Sequence, residues 1–302
     1  MRVLVTGGTG YLGSTVMRHL IDSGVEAVVG TRAIQESPWP MCIIDYATDA
    51  SVREAVAGVD AVIHCAIAND FTRLQADRRY AYDSYVQTTS RLVRAAGSRP
   101  FIFVSSDWVM DGTGHLVPED EPPNPVNIYG VLKALGEQVA LEHDKAVVRV
   151  GGVMGRHQLQ AMGPRSQDVG FGYFVTTLVG ALRAGTRFDV WAGDGVNEVA
   201  TPSLARHVAR GMQRILEQDT RGIHHLVASE AIGRLPLALL AAEVFELDGG
   251  LIGESPVPPQ ERFPAPVPRD TSLASVETSR RLGLAPITVR EQLTELRAEL
   301  DA

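Results

Sequence analysis

The stretch "NIYGVLKALGE", starting at Asn127, places Tyr129 and Lys133 four residues apart. On a helix that spacing is one turn, so both side chains face the same groove. A phenol beside an ammonium is the pairing expected of a proton donor and the cation that tunes it. An ordinary amphipathic helix carries the same two residues equally well, so the pair has to be judged by what surrounds it.

A second stretch, "VLVTGGTGYLG", sets Gly7, Gly10 and Gly13 after a strand-like run and at the start of a helical pattern. The first glycine permits a tight turn, the second lets backbone approach phosphates, and the third lets helix and strand pack closely. The helix N-terminus adds free N–H groups and a positive dipole end. The turn as a whole, Gly7, Thr9, Gly10, Tyr11, Leu12 and Gly13, is the candidate pyrophosphate site. At the end of the second strand the chain reads "GTRA". Thr31 and Arg32 stand where an NAD site places an acid, and an arginine there suits a ribose 2′-phosphate. NADP(H) is therefore the expected cofactor, with NAD(H) as the alternative. Asp45, next to Tyr46, closes the third strand. It is placed either to accept from the adenine amino group or to cap the following helix.

These residues need elements to hold them. Short apolar runs at 2–6, 26–31, 41–45, 60–66, 100–106 and 145–150 alternate with amphipathic segments at about 11–23, 49–57, 76–97 and 128–143. Strands apolar on both faces belong to a parallel sheet covered on both sides. The expected fold is α/β, a Rossmann-type doubly wound parallel sheet spanning 1–150, with 151–302 mostly a smaller substrate lobe and some segments returning to the core. Helical patterns recur at about 171–184, 203–217 and 234–246. A proline-rich run, "SPVPPQERFPAPVPRD", should lie extended over a surface ahead of two final helices.

The bulk numbers narrow the partners. The 302 residues carry 28 basic and 36 acidic side chains, a formal charge of -8 with no basic run, which argues against nucleic acid. No apolar run approaches a membrane span, and no signal peptide pattern opens the chain. Cys42 and Cys65 lie in apolar runs without metal-type spacing, which suits thiols in a reducing cytoplasm; no metal site is expected.

With these motifs quoted, the chain resembles the extended short-chain dehydrogenase/reductases, and within them the dTDP-4-dehydrorhamnose reductase group. "TGGTGYLG" matches the glycine motif. "SSDWVMDG" at 105–112, "PVNIYGVLKALGE" and "FPAPVPRDTSL" resemble further family segments, in order along the whole chain. The resemblance implies Ser106, Tyr129 and Lys133 as the catalytic set. It assigns Tyr129 as proton donor and Lys133 as the cation that lowers its pKa and holds the nicotinamide ribose. Ser106 then donates to the same carbonyl oxygen. Cys65 and Ala66 would pass close to the cofactor, while His64 reads as a strand histidine. The implied substrate is a nucleotide-linked keto-sugar, and paired helices at 76–97 and 128–143 imply a homodimer.

Departures fall on the substrate side. Asp107 is kept beside Ser106, Trp108 replaces a tyrosine, and Gly152 stands where the family has a sugar-contacting tryptophan, which should enlarge or reshape the pocket. Tyr85 falls near a family asparagine. Arg156 or Arg165 is a candidate for a substrate diphosphate. The main expectation is an NADPH-dependent reductase of a 4-keto-6-deoxysugar. The alternatives are an epimerase or dehydratase, a reductase of a non-sugar ketone, and an NADP-binding regulatory subunit without turnover.

Overall fold

The computed structural model describes residues 1–68, 70–160 and 167–302; Arg165 lies outside them. The first half alternates strand and helix: β1 (Arg2–Thr6), α1 (Tyr11–Asp22), β2 (Glu26–Thr31), β3 (Met41–Ile43), α2 (Asp49–Ala57), β4 (Ala61–His64), β5 (Phe101–Val104), α6 (Ile128–Glu142) and β6 (Ala146–Arg149). Between β4 and β5 lie α3 (Phe71–Ala76), α4 (Arg78–Tyr82), a π-helical turn (Asp83–Gln87) and α5 (Thr88–Ala96). A single helix over 76–97 was expected. Instead Asp77 accepts from the Tyr80 N–H and caps a new start, and one π turn interrupts the ladder.

Beyond residue 150 follow β7 (Val153–Met154), α7 (Phe174–Arg183), β8 (Phe188–Ala192), β9 (Val199–Ala200), β10 (Ser203–Leu204), α8 (Ala205–Gln218) and β11 (Gly222–His225). The chain ends with β12 (Ile232–Gly233), α9 (Arg234–Val244), β13 (Ile252–Pro256), α10 (Val276–Leu282) and α11 (Val289–Asp301).

The main sheet has seven strands in the order β11-β6-β5-β4-β1-β2-β3, all parallel. Alternation along β1 shows why its residues are apolar throughout. Val3 and Val5 pack toward Val16, Met17 and Leu20 of α1 and Val208, Met212 and Ile215 of α8. Leu4 faces the other way, toward Val52 and Val56 of α2 and Leu92 of α5. The chain past residue 150 thus completes the core, since α8 covers α1 and β11 adds the seventh strand. The strand order reverses beside β1, and the crevice at such a switch point is where these sheets bind ligands.

The smaller lobe has its own core, where Phe174 and Leu178 of α7, Leu237 and Ala241 of α9, and Leu293 and Leu296 of α11 pack together. One buried ion pair underpins the sheet side of α6. Arg149 Nε and Nη2 donate to Glu137 Oε1 and Oε2 at 2.9 and 2.8 Å, with both side chains almost wholly buried. His225 Nε2 lies 3.4 Å from Arg149 Nη1, tying in β11. Among the described residues no helix is long and apolar enough to cross a membrane.

Candidate active site

The glycine turn sits where β1 meets α1. Gly7 has φ +69, and a Cβ there would lie 2.8 Å from the Ala66 backbone. A Cβ at Gly13 would overlap the Gly7 carbonyl. The first helical hydrogen bond of α1 joins the Ser14 N–H to the Gly10 carbonyl at 2.8 Å. The N–H groups of Tyr11, Leu12 and Gly13 therefore precede the ladder at a helix N-terminus, the arrangement a pyrophosphate requires. The side chains of this turn point elsewhere. Tyr11 donates to the Gly155 carbonyl at 2.7 Å, and its ring lies 4.4 Å from that of Tyr173. Burial raises the Tyr11 phenol far above its ordinary pKa. Leu12 packs against the core.

At the adenosine end, the Thr31 hydroxyl donates to the Ala33 carbonyl at 2.9 Å. Arg32 is exposed, and its charge reaches the buried phenol of Tyr46. Asp45 is exposed and accepts from the Ala47 N–H at 3.0 Å, so it shapes the turn before α2. His64 is buried with Nδ1 2.6 Å from the Thr6 hydroxyl, and burial takes it down to about 3, so it is a neutral strand residue.

The proposed catalytic groups converge at the carboxyl ends of β4, β5 and β6. Ser106 follows β5, and Asn127 caps α6 by accepting from the Gly130 N–H at 3.0 Å, which fixes where Tyr129 starts the helix. Lys133, one turn on, is buried, and its Nζ donates to the Val104 carbonyl at 2.8 Å. That Nζ stands 6.0 Å from the Tyr129 ring centroid. Burial lowers Lys133 to about 8, with Cys65 and Glu137 pulling it back up. Tyr129 corrects an expectation. Burial pushes its phenol up to about 12; the Ser106 hydroxyl lowers it and Asp107 raises it further. Desolvation is the largest cause, and the Lys133 ammonium is committed to the Val104 carbonyl. The thiol of Cys65, between the turn and Lys133, is likewise pushed up to about 12 by burial.

A family model described as the RmlD substrate binding domain matches residues 1–302. The chain belongs to this family. It is thereby an RmlD-like member of the extended short-chain dehydrogenase/reductases, an NAD(P)-dependent oxidoreductase. A probable low-salt glycan biosynthesis reductase, Agl14, of Haloferax volcanii is 29% identical over 307 residues, covering 99% of this chain and 98% of its own. The methionine adenosyltransferase 2 subunit beta of Danio rerio is 28% identical, over 82% of this chain and 74% of its own. The dTDP-4-dehydrorhamnose reductase of Bacillus anthracis, solved in complex with NADP, shares the fold at TM-score 0.79 and 19% identity, with 99% of each chain covered.

The residues expected on the substrate side are engaged within the protein. Gly152 has φ +46, and a Cβ there would lie 2.6 Å from Phe171 Cβ. Phe171 occupies the space into which a side chain at position 152 would have to project. Asp107 is buried with both oxygens engaged. Ser106 Oγ donates to Oδ1 at 3.0 Å, and Thr271 Oγ1 donates to Oδ2 at 2.5 Å. Burial raises its carboxyl to about 6. Trp108 donates its N–H to Ser106 Oγ at 3.2 Å, while its ring lies 6.1 Å from Tyr129. Arg156 donates to the Glu299 carbonyl on α11 at 3.3 Å. Tyr85, in the π turn, donates to the Ala68 carbonyl at 3.0 Å and meets Tyr129 edge-on.

Sequence reasoning did not single out Phe71, Phe263 or Thr271. Phe71 and Phe263 pack around Tyr129 and Trp108, and Thr271 holds Asp107 from 164 residues away. Only contacts distant in sequence bring them here, so no local spacing marks them.

Proposed function

We propose that this protein is an NADPH-dependent reductase of the ketone in a nucleotide-linked 4-keto-6-deoxysugar, with Tyr129 as proton donor. The reading is supported by the glycine turn at the carboxyl end of β1, where Gly7 packs on the Ala66 backbone, together with Ser106 bonded to Asp107 after β5 and Tyr129 and Lys133 one turn apart on α6. One relative that this chain matches over almost its whole length is named a probable reductase of glycan biosynthesis.

In this reading the N–H groups of Tyr11, Leu12 and Gly13 bind the pyrophosphate, and Arg32 takes the 2′-phosphate. The structural relative named above as an NADP complex agrees with that choice. When bound, the dinucleotide supplies the hydride. Cys65 and Ala66 flank the route from the turn to Tyr129. As negative charge builds on the ketone oxygen, Tyr129 gives it a proton. Burial keeps the phenol protonated at neutral pH but makes its proton costlier to give up, so the phenolate left behind needs a nearby cation. Lys133, behind the phenol, favours the phenolate left after transfer. Ser106, oriented by Asp107 and the Trp108 N–H, shares the charge on the oxygen. Residues 1–150 with α8 and β11 form the cofactor half, and the remaining segments the substrate lobe. Retention of Ser106, Tyr129 and Lys133 together favours turnover over a purely regulatory subunit.

The test is NADPH oxidation, followed by absorbance, with dTDP-4-keto-6-deoxyglucose. One NADPH consumed per alcohol formed is expected. Tight NADPH binding without consumption would overturn the reading.

A further inference from the structure

Arg234 opens α9 in the smaller lobe, yet its guanidinium serves another segment. It keeps 3% of its surface. Nη2 donates to the Asp168 carbonyl and to Gln167 Oε1, each at 3.0 Å. Nη1 donates to the Gly170 carbonyl and, at 3.4 Å, to the Val169 carbonyl. The Asp168 carboxylate favours its charge. The group also lies over the rings of Phe171 and Phe174, at 5.3 and 4.7 Å. Carbonyls of three successive residues thus converge on one cation. Dipoles aimed at one point repel, so this backbone path needs a buried positive group with several donors in its plane. A guanidinium provides that fork and an ammonium does not.

The segment held in this way reaches the site. Val169 packs in one apolar cluster with Trp191, Val196 and Val257, and Trp108 and Phe263 pack against that cluster. A Cβ at Gly170 would lie 3.2 Å from Cζ2 of Trp108. Trp108 in turn donates its N–H to Ser106 Oγ, and its ring is 6.1 Å from that of Tyr129. The contacts therefore run from Arg234 through residues 167–171 to Trp108, and end on two of the proposed catalytic groups. The glycine turn, by contrast, is set by its own backbone.

We propose that Arg234 is a positioning residue for the reaction. It sets the 167–171 segment against Trp108, and through Trp108 the placement of Ser106 and of the ketone relative to Tyr129. This rests on the reading of Ser106 and Tyr129 as the groups that act on the ketone.

The experiment uses the full chain with fluorotryptophan in place of its tryptophans and compares the parent with Arg234→Lys, which keeps the charge and loses the fork. With dTDP-4-keto-6-deoxyglucose, kcat/KM should fall roughly 100-fold, the effect of about 1 Å of misplacement. NADPH affinity should stay within about twofold of the parent. The fluorine NMR resonance of Trp108, assigned from Trp108→Phe, should shift, while that of Trp39 in the sheet core should not. A purely structural role moves other quantities: NADPH affinity would fall in step with turnover, and Trp39 would shift with Trp108. That outcome, or a kcat/KM within about twofold of the parent, would overturn the proposal. If Arg234→Lys does not fold, Gly170→Ala presses on Trp108 from the same segment with Arg234 intact. It should lower kcat/KM roughly tenfold, and full activity would overturn the proposal. If the parent consumes no NADPH with this sugar, the substrate reading fails by itself. Arg234 is then judged by fluorine NMR alone: a Trp108 resonance unmoved in Arg234→Lys ends the proposal, and a shifted one keeps Arg234 as the residue that sets Trp108.

Discussion

The two sides of the candidate site are built by different means. The cofactor side is backbone. A turn of seven residues from Gly7 to Gly13 sets its shape through contacts in which a single added Cβ would collide. The substrate side is side chain. Phe71, Trp108, Tyr129 and Phe263 arrive from four separate segments. Polar contacts that span the chain hold them, such as Thr271 on Asp107 and Asn127 on the Pro266 carbonyl. Backbone geometry tolerates little change, while a wall of side chains can be exchanged residue by residue. One scaffold can therefore keep its redox chemistry and alter its substrate.

That contrast can be broken first at the floor the two sides share. Glu137→Gln leaves Arg149 as an unpaired charge between α6, β6 and β11. Removing one partner of a buried pair costs about 3–5 kcal/mol. Urea unfolding should show that loss, and both cofactor affinity and turnover should fall with it. Equal stability of the variant would mean that the pair does not support the site.

The next effect is confined to the substrate side and depends on pH. The Asp107 carboxyl goes from 3.8 in the unfolded chain to about 6 in the folded one. The folded state therefore holds its proton where the unfolded state has released it, so this group makes stability fall as pH rises from about 4 to about 6. Below that window the group contributes nothing; above it the full cost is on the order of 3 kcal/mol. Asp107→Asn should lack this slope in thermal melts taken from pH 4 to 7. The variant should also lower kcat more than it raises KM, since Ser106 and Thr271 both donate to this carboxyl and an asparagine leaves them one accepting oxygen. An unchanged slope would remove Asp107 from the account.

The smallest expected effect sharpens the cofactor side. Arg32→Ala should weaken NADPH roughly 10- to 100-fold, the worth of a charge-assisted contact, and leave NADH nearly unchanged. Fluorescence titration of both dinucleotides reads the difference directly. Equal losses for the two would show that Arg32 does not contact the 2′-phosphate.

How much of this was legible follows the same division. The glycine turn could be read because its physics is local, and the doubly wound sheet because its strands are apolar on both faces. The strand Gly222–His225 escaped notice because its two histidines look polar, yet both are buried, His225 between Arg149 and the Ala274 carbonyl. Gly152 suggested an enlarged or reshaped pocket, and only the fold brings Phe171 beside it. The Tyr129–Lys133 spacing was plain. The sign of the shift at Tyr129 was not, because burial by Phe71, Tyr85 and Trp108 is a property of assembled segments.

The most direct test of the central claim is Tyr129→Phe, measured for NADPH affinity and for kcat with dTDP-4-keto-6-deoxyglucose in the same preparation. Loss of a general acid predicts a fall in kcat of roughly 10²- to 10⁴-fold, with NADPH affinity within about twofold of the parent. A variant that turns over at the parent rate would show that the proton comes from elsewhere, and the roles drawn for Tyr129, Ser106 and Lys133 would fall together.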